Sequence, residues 1–109
     1  MLQWLTVCCQ VVEVSGSGEV LRSFGAARGS DDTNQLNWPW YLVLDVVTDH
    51  CLVADRKNHR VLQLDAQLRP TGLVINSPKS PSGPARLSLA GRKLLVAHSN
   101  SVDMFILNP

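Results

Sequence analysis

The sequence has no long apolar run, no excess of charge of either sign, and no cysteine or histidine grouping with the spacing of a zinc site. The first absence excludes a membrane-spanning helix, which needs about 20 apolar residues in succession. The second, a formal net charge of +1, removes bulk charge as an argument for a nucleic-acid partner. The third leaves Cys8, Cys9 and Cys51 as an odd set of thiols, two of them adjacent. Neighbouring cysteines rarely pair, so reduced side chains within strands are expected, and with them a cytoplasmic setting. No Asn-x-Ser/Thr acceptor occurs, which points the same way. Residues 2–14 are apolar enough to pass for a signal-peptide core. No basic residue precedes them, however, Gln3 and Gln10 interrupt them, and no small-x-small cleavage site follows. No apolar period of 3.6 residues survives anywhere, so helices are not expected as the main element. A Gly-x-Ser-x-Gly elbow is also missing, and no catalytic group is expected.

What is present is a phrase that occurs nearly twice. One copy runs Pro39-Trp40-Tyr41-Leu42-Val43-Leu44-Asp45, Leu52-Val53-Ala54-Asp55 and Asn58-His59-Arg60-Val61-Leu62-Gln63-Leu64-Asp65. The second runs Pro84-Ala85-Arg86-Leu87-Ser88-Leu89-Ala90, Leu95-Val96-Ala97-His98 and Val102-Asp103-Met104-Phe105. The prolines stand 45 residues apart, the Leu-Val-Ala runs 43 and the last strands 41. A period of that size, built from short alternating runs, marks a β-repeat and points to a propeller blade.

The strands expected from alternation are residues 9–14 and 20–24, then 41–45, 51–55, 60–64 and 71–75, then 86–89, 94–97 and 102–106. Gly16-Ser17-Gly18 closes the first hairpin, residues 25–37 form a polar loop, and residues 76–83 form a second one before the repeat resumes at Pro84. The expected fold class is therefore all-β, with about two to three four-stranded antiparallel blades in a single unit of 1–109. Residues 1–25 are the end of a blade, 37–76 one complete blade, and 83–107 a degenerate third. Charge is uneven along this unit, −5 over residues 1–55 and +6 over residues 56–109. Complementary faces within the fold or between copies explain such a split.

Several of these residues carry a resemblance. Phe24-Gly25, Pro39, Leu42, Leu44-Asp45, Val53-Ala54-Asp55, Asn58-His59-Arg60-Val61 and Leu64-Asp65 are similar to the NHL repeat, a propeller blade named for an Asn-His-Leu-like triplet, here in its Arg form. Tyr41 stands where that repeat has glycine, Asp49-His50 replaces a Gly-Asn turn, and the last copy has His98 for the aspartate and no triplet. The resemblance implies an incomplete NHL-type propeller. It implies a structural signature in Asp45, Asp55, Asn58 and Arg60. Asp55 is expected to accept hydrogen bonds from the backbone of the turn that follows, Asn58 to take the left-handed conformation, and Arg60 to pair with Asp55 or Asp45. Propellers of this class are six-bladed, so the chain falls short of a ring. A fragment of a larger propeller, a ring of several copies, or an irregular sandwich would each answer this, and Met1 falling inside a blade favours the fragment.

The resemblance extends to the C-terminal propellers of tripartite-motif ubiquitin ligases, which recruit proteins or RNA. It implies a non-catalytic scaffold for a protein partner. An RNA-binding surface is the first alternative, and a fragment of a metal-dependent lyase-like propeller the second. No RING or B-box cysteine pattern occurs, and no cofactor, metal or membrane partner is expected. By the same resemblance Arg28, Trp38, Arg56, Lys57 and His59 share one face and form the candidate binding surface. Trp38 and Trp40, flanking Pro39, are expected to plug the interface between blades. His50, His59 and His98 are isolated in sequence and read as turn or surface histidines. Open sheet edges give a route to self-association.

Overall fold

The computed structural model describes residues 3–7, 9–25, 35–76 and 83–107. They form ten strands: β1 Gln3–Val7, β2 Gln10–Val14, β3 Val20–Gly25, β4 Pro39–Asp45, β5 His50–Asp55, β6 Arg60–Leu64, β7 Pro70–Asn76, β8 Arg86–Ala90, β9 Lys93–Ala97 and β10 Val102–Ile106. A single 3-10 turn, Arg56–Asn58, links β5 to β6. The protein is all-β, with three antiparallel sheets ordered β1-β2-β3, β4-β5-β6-β7 and β8-β9-β10, and none of these sheets closes on itself. No helix among the described residues is long and apolar enough to cross a membrane.

The first sheet differs from the expectation of two strands. Residues 3–7 add β1, joined to β2 by only Cys8-Cys9 and paired with it from Gln3 opposite Val14 to Val7 opposite Gln10. Strands β1 and β2 both lie in the apolar stretch near the start of the sequence and form one hairpin. Cys9 and Cys51 are buried thiols, and burial pushes Cys51 up to about 12, so it stays protonated.

The middle sheet lies between the other two. Pairs in antiparallel register share a face, so the alternation of β4, β5 and β6 gives it two apolar sides. Leu42, Val53 and Leu62 pack with Trp4, Val11 and Phe24 of the first sheet. Val43, Leu52, Ala54 and Val61 pack with Leu87, Leu94 and Val96 of the third. This explains why Cys51-Leu52-Val53-Ala54 is apolar at every position rather than every second one: the strand is covered on both sides. Each fully buried aliphatic side chain of this kind contributes about 1.5–3 kcal/mol.

Turns repeat as well as strands. The Ser15 N–H donates to the Glu19 carbonyl at 2.9 Å, and the Asp65 N–H donates to the Arg69 carbonyl at 2.8 Å, fifty positions later. The Ser15 hydroxyl and the Asp65 carboxylate each accept the backbone N–H four residues on. Gly18 and Leu68 take the matching left-handed position; for Leu68 that costs about 1 kcal/mol, offset by burying its side chain in the first core.

One ion pair ties the middle and third sheets. The Arg92 guanidinium donates to both carboxylate oxygens of Asp45, at 2.8 and 2.9 Å, across the stack. Asp45 is 1% exposed and also accepts the Val47 N–H and the Thr48 hydroxyl. Arg92 above all holds its carboxyl below the usual carboxylate range, against the opposing effect of burial. The pair joins the acidic and basic halves of the sequence.

Candidate binding face

The candidate face is built around a carboxylate. Asp55 closes β5 and is fully buried. One of its oxygens accepts the Asn37 N–H at 2.7 Å. The other accepts Arg60 Nε at 2.7 Å and Asn58 Nδ2 at 3.0 Å. Arg60 Nη2 continues to the Gln35 carbonyl at 2.7 Å. The signature residues Asp55, Asn58 and Arg60 thus form one network that joins the loop before β4 to the turn after β5. Asp45 stands apart from it, paired with Arg92.

Two sequence-based expectations about this network are corrected. The Asp55 carboxylate takes its backbone hydrogen bond from Asn37, in the preceding loop; from the turn that follows, where backbone donors were expected, it takes the Asn58 side-chain amide. The left-handed residue is His59, with φ 53°, and not Asn58, which sits in the 3-10 turn and uses its side-chain amide on Asp55. The turn has to reverse direction after Asn58, and the His59 N–H closes it by donating to the Arg56 carbonyl at 3.1 Å.

The network sets the two connections against each other. The Arg56 N–H donates to the Trp38 carbonyl at 3.1 Å and the Lys57 N–H to the Asn37 carbonyl at 3.0 Å. Leu36, fully buried, anchors the loop beneath. Trp38 adopts a positive φ of 61°, and the register of β4 on β5 shifts between Pro39 and Tyr41, at Trp40. A bulge re-aims the side chain that it releases. Here it brings Trp40 beside Trp38, with ring centroids 6.1 Å apart and planes 18° from parallel.

Two cations complete the arrangement. Lys57 Nζ lies 3.8 Å from the centre of the Trp38 ring, and Arg56 Cζ lies 4.8 Å from that of Trp40. Each contact is worth about 0.5–1 kcal/mol at such an exposed site. Trp38 and Trp40 are 46% and 52% exposed. They do not plug an interface between sheets, which corrects the role expected of them. The β4 bulge turns them to solvent, and the interior at that end is filled instead by Leu36 and the Asp55 network.

Of the five candidate residues, the structure brings Trp38, Arg56 and Lys57 together. His59 is half-buried, and its Nδ1 is enclosed with no hydrogen-bond partner among the described residues. Arg28 lies outside the described residues. Trp40 belongs to the face and was missed as a binding residue; the signal available was its place one residue after Pro39, opposite a strand end.

A second concavity lies elsewhere. A cleft of about 540 Å³ opens between the first and middle sheets, lined by Trp4, Glu13, Arg22 and Asp49 among others. Glu13, only 3% exposed, accepts the Trp4 indole N–H at 3.0 Å and pairs with Arg22, so its charge is answered within the cleft. No group of three His, Cys, Asp or Glu side chains among the described residues could hold a metal ion. His98 occupies the place of Asp55 in the third sheet and meets Asp103 at 3.2 Å. No protein-family model matches the chain, and no curated protein matches it.

Proposed function

We propose that this chain is a non-catalytic binding scaffold of the NHL-repeat type, which docks an acidic segment of a protein partner on Trp38, Trp40, Arg56 and Lys57. In that reading the three sheets are successive blades of an incomplete propeller. The quoted signature supports it, as does the contact of the inner edge strand β4 with both β1 and β8. The two buried thiols support residence in the cytoplasm.

The observation that carries the function is the exposed tryptophan pair with a cation over each ring. Tryptophan and arginine dominate the energetic centres of protein interfaces. The nearest described carboxylate in the network, Asp55, is buried and already engaged by Arg60, so the two cations keep their charge for a partner. RNA is the second reading, favoured by exposed aromatic rings interleaved with cations. A stacking base would have to displace Lys57 or Arg56 from a ring, whereas a carboxylate binds the cations where they stand.

Calorimetric titration separates the two. A glutamate-rich peptide should bind, and the double variant Arg56→Ala/Lys57→Ala should weaken it about tenfold or more, that is by ~1.4 kcal/mol, with the fold kept and a urea midpoint lowered only by the loss of the two cation–ring contacts, about 1–2 kcal/mol together. Binding of a uridine oligonucleotide instead, falling steeply with salt, would favour RNA. Equal peptide binding by the double variant would remove the site.

A further inference from the structure

The tryptophan face makes no use of the cleft between the first and middle sheets, and that cleft is built from fixed parts. Its volume of about 540 Å³ is that of a small-molecule site. Trp4 forms one wall. It stands opposite Glu13 on β2, and its indole N–H donates to the Glu13 carboxylate at 3.0 Å. Glu13 stands opposite Arg22 on β3 and is paired with it. A buried carboxylate, itself held by a guanidinium, therefore fixes the plane of the ring. Leu42 and Leu44 of β4 supply the apolar wall of the middle sheet. Leu42 also packs on the first core, whereas Leu44 is 45% exposed.

Charge gives the cleft a sign. Glu13 and Arg22 cancel each other. Arg69, on the turn that brings Gln67 to the cleft, is answered by Asp65. Asp49 also lines the cleft, is exposed, and enters none of the ion pairs among the described residues. Its place is set by the β4–β5 turn: the backbone is left-handed, with φ 60°, and the Asp49 N–H donates to the Asp45 carbonyl at 2.8 Å. One unanswered negative charge thus sits on a fixed turn beside apolar walls. An anionic guest would meet Asp49 and the carboxylate of Glu13, and a neutral one would leave Asp49 unused.

We propose that this cleft binds a small organic amine, its ammonium group at Asp49 and its aromatic or aliphatic body against Trp4, Leu42 and Leu44. The carboxylate attracts the cation, and the fixed indole offers a surface on which a ring packs. The site is distinct from the tryptophan face, where Arg56 and Lys57 stand over the rings and repel a cation. The two sites select opposite charges.

Phenethylamine, phenethyl alcohol and hydrocinnamate share one body and differ in charge, and together they test this. A Trp38→Phe/Trp40→Phe background leaves Trp4 as the one tryptophan, so its emission reports the cleft. Phenethylamine should change that emission to saturation, with a dissociation constant of about 1 mM or below. The alcohol should bind at least about fivefold more weakly and hydrocinnamate should not saturate, and added salt should weaken the amine alone. Asp49→Asn should reduce the amine to the affinity of the alcohol, since asparagine tolerates the left-handed backbone. The comparison of the three compounds needs no change at Asp49 and decides the matter if that variant fails to fold. Absence of saturation by the amine overturns the proposal. So does equal binding of amine and alcohol, or an amine preference that survives in folded Asp49→Asn.

Discussion

Asp55→Ala lowers the unfolding free energy by about 3–5 kcal/mol, a large share of the roughly 5–15 kcal/mol that holds a domain of this size. The carboxylate is fully buried and accepts from Arg60, Asn58 and the Asn37 backbone. Its removal takes the buried carboxylate partner from the Arg60 guanidinium, whose side chain is 7% exposed and which also donates to the Gln35 carbonyl. It also leaves the Asn37 N–H without its acceptor, a further desolvation cost. The cost should therefore fall when the cation that faced the carboxylate is removed too. In urea unfolding, Asp55→Ala combined with Arg60→Met loses clearly less than the two single variants added together. A loss below about 1 kcal/mol for Asp55→Ala would mean that the network does not hold the loop. Because the same network sets Asn37 and Trp38 against Arg56 and Lys57, the variant should also lose the peptide affinity of the tryptophan face.

Gly83→Ala is the second large effect, expected at about 2–4 kcal/mol from backbone strain and overpacking together. Gly83 has φ 73°, and a Cβ there would lie 2.0 Å from the Arg56 carbonyl oxygen and 2.9 Å from its carbon. The obstacle is backbone, in the turn that carries the two cations, so it cannot swing aside as a flexible side chain would. Either the segment before β8 or the 3-10 turn must move. Gly91→Ala separates strain from collision. Gly91 has φ 60°, and a methyl group there would meet nothing within 4 Å, so its cost should stay near about 1 kcal/mol. Equal melting shifts for the two variants would contradict the close approach of Gly83 to Arg56.

The middle sheet was legible in the sequence because two signals agreed there. Its strands alternate, and its strand ends carry Asp45, Asp55 and Arg60, whose charges had to be answered within the fold. Arg60 had two carboxylates open to it in sequence; packing across sheets decides between them, because Arg92 reaches Asp45 from the β8–β9 turn. The strand β1 was not legible. Its link to β2 is two cysteines, with no glycine, proline or asparagine to announce a turn, so the two strands read as one apolar run. The tryptophans were misjudged for a related reason. Alternation gives the side on which a strand residue lies, but a one-residue bulge reverses it, and nothing in Pro39-Trp40-Tyr41 marks the bulge. The left-handed turn residue moved from Asn58 to His59 because the Asn58 amide is held by Asp55.

The most direct test of the binding face is fluorescence quenching by ions of opposite charge. In a Trp4→Phe background the emission comes from Trp38 and Trp40 alone, and Glu13 keeps Arg22 as its partner. Exposed rings beside two cations should be quenched far more by iodide than by caesium, and Arg56→Ala/Lys57→Ala should bring the two quenchers close together. Weak quenching by both ions, or equal quenching before the cations are removed, would contradict an exposed, cationic tryptophan face.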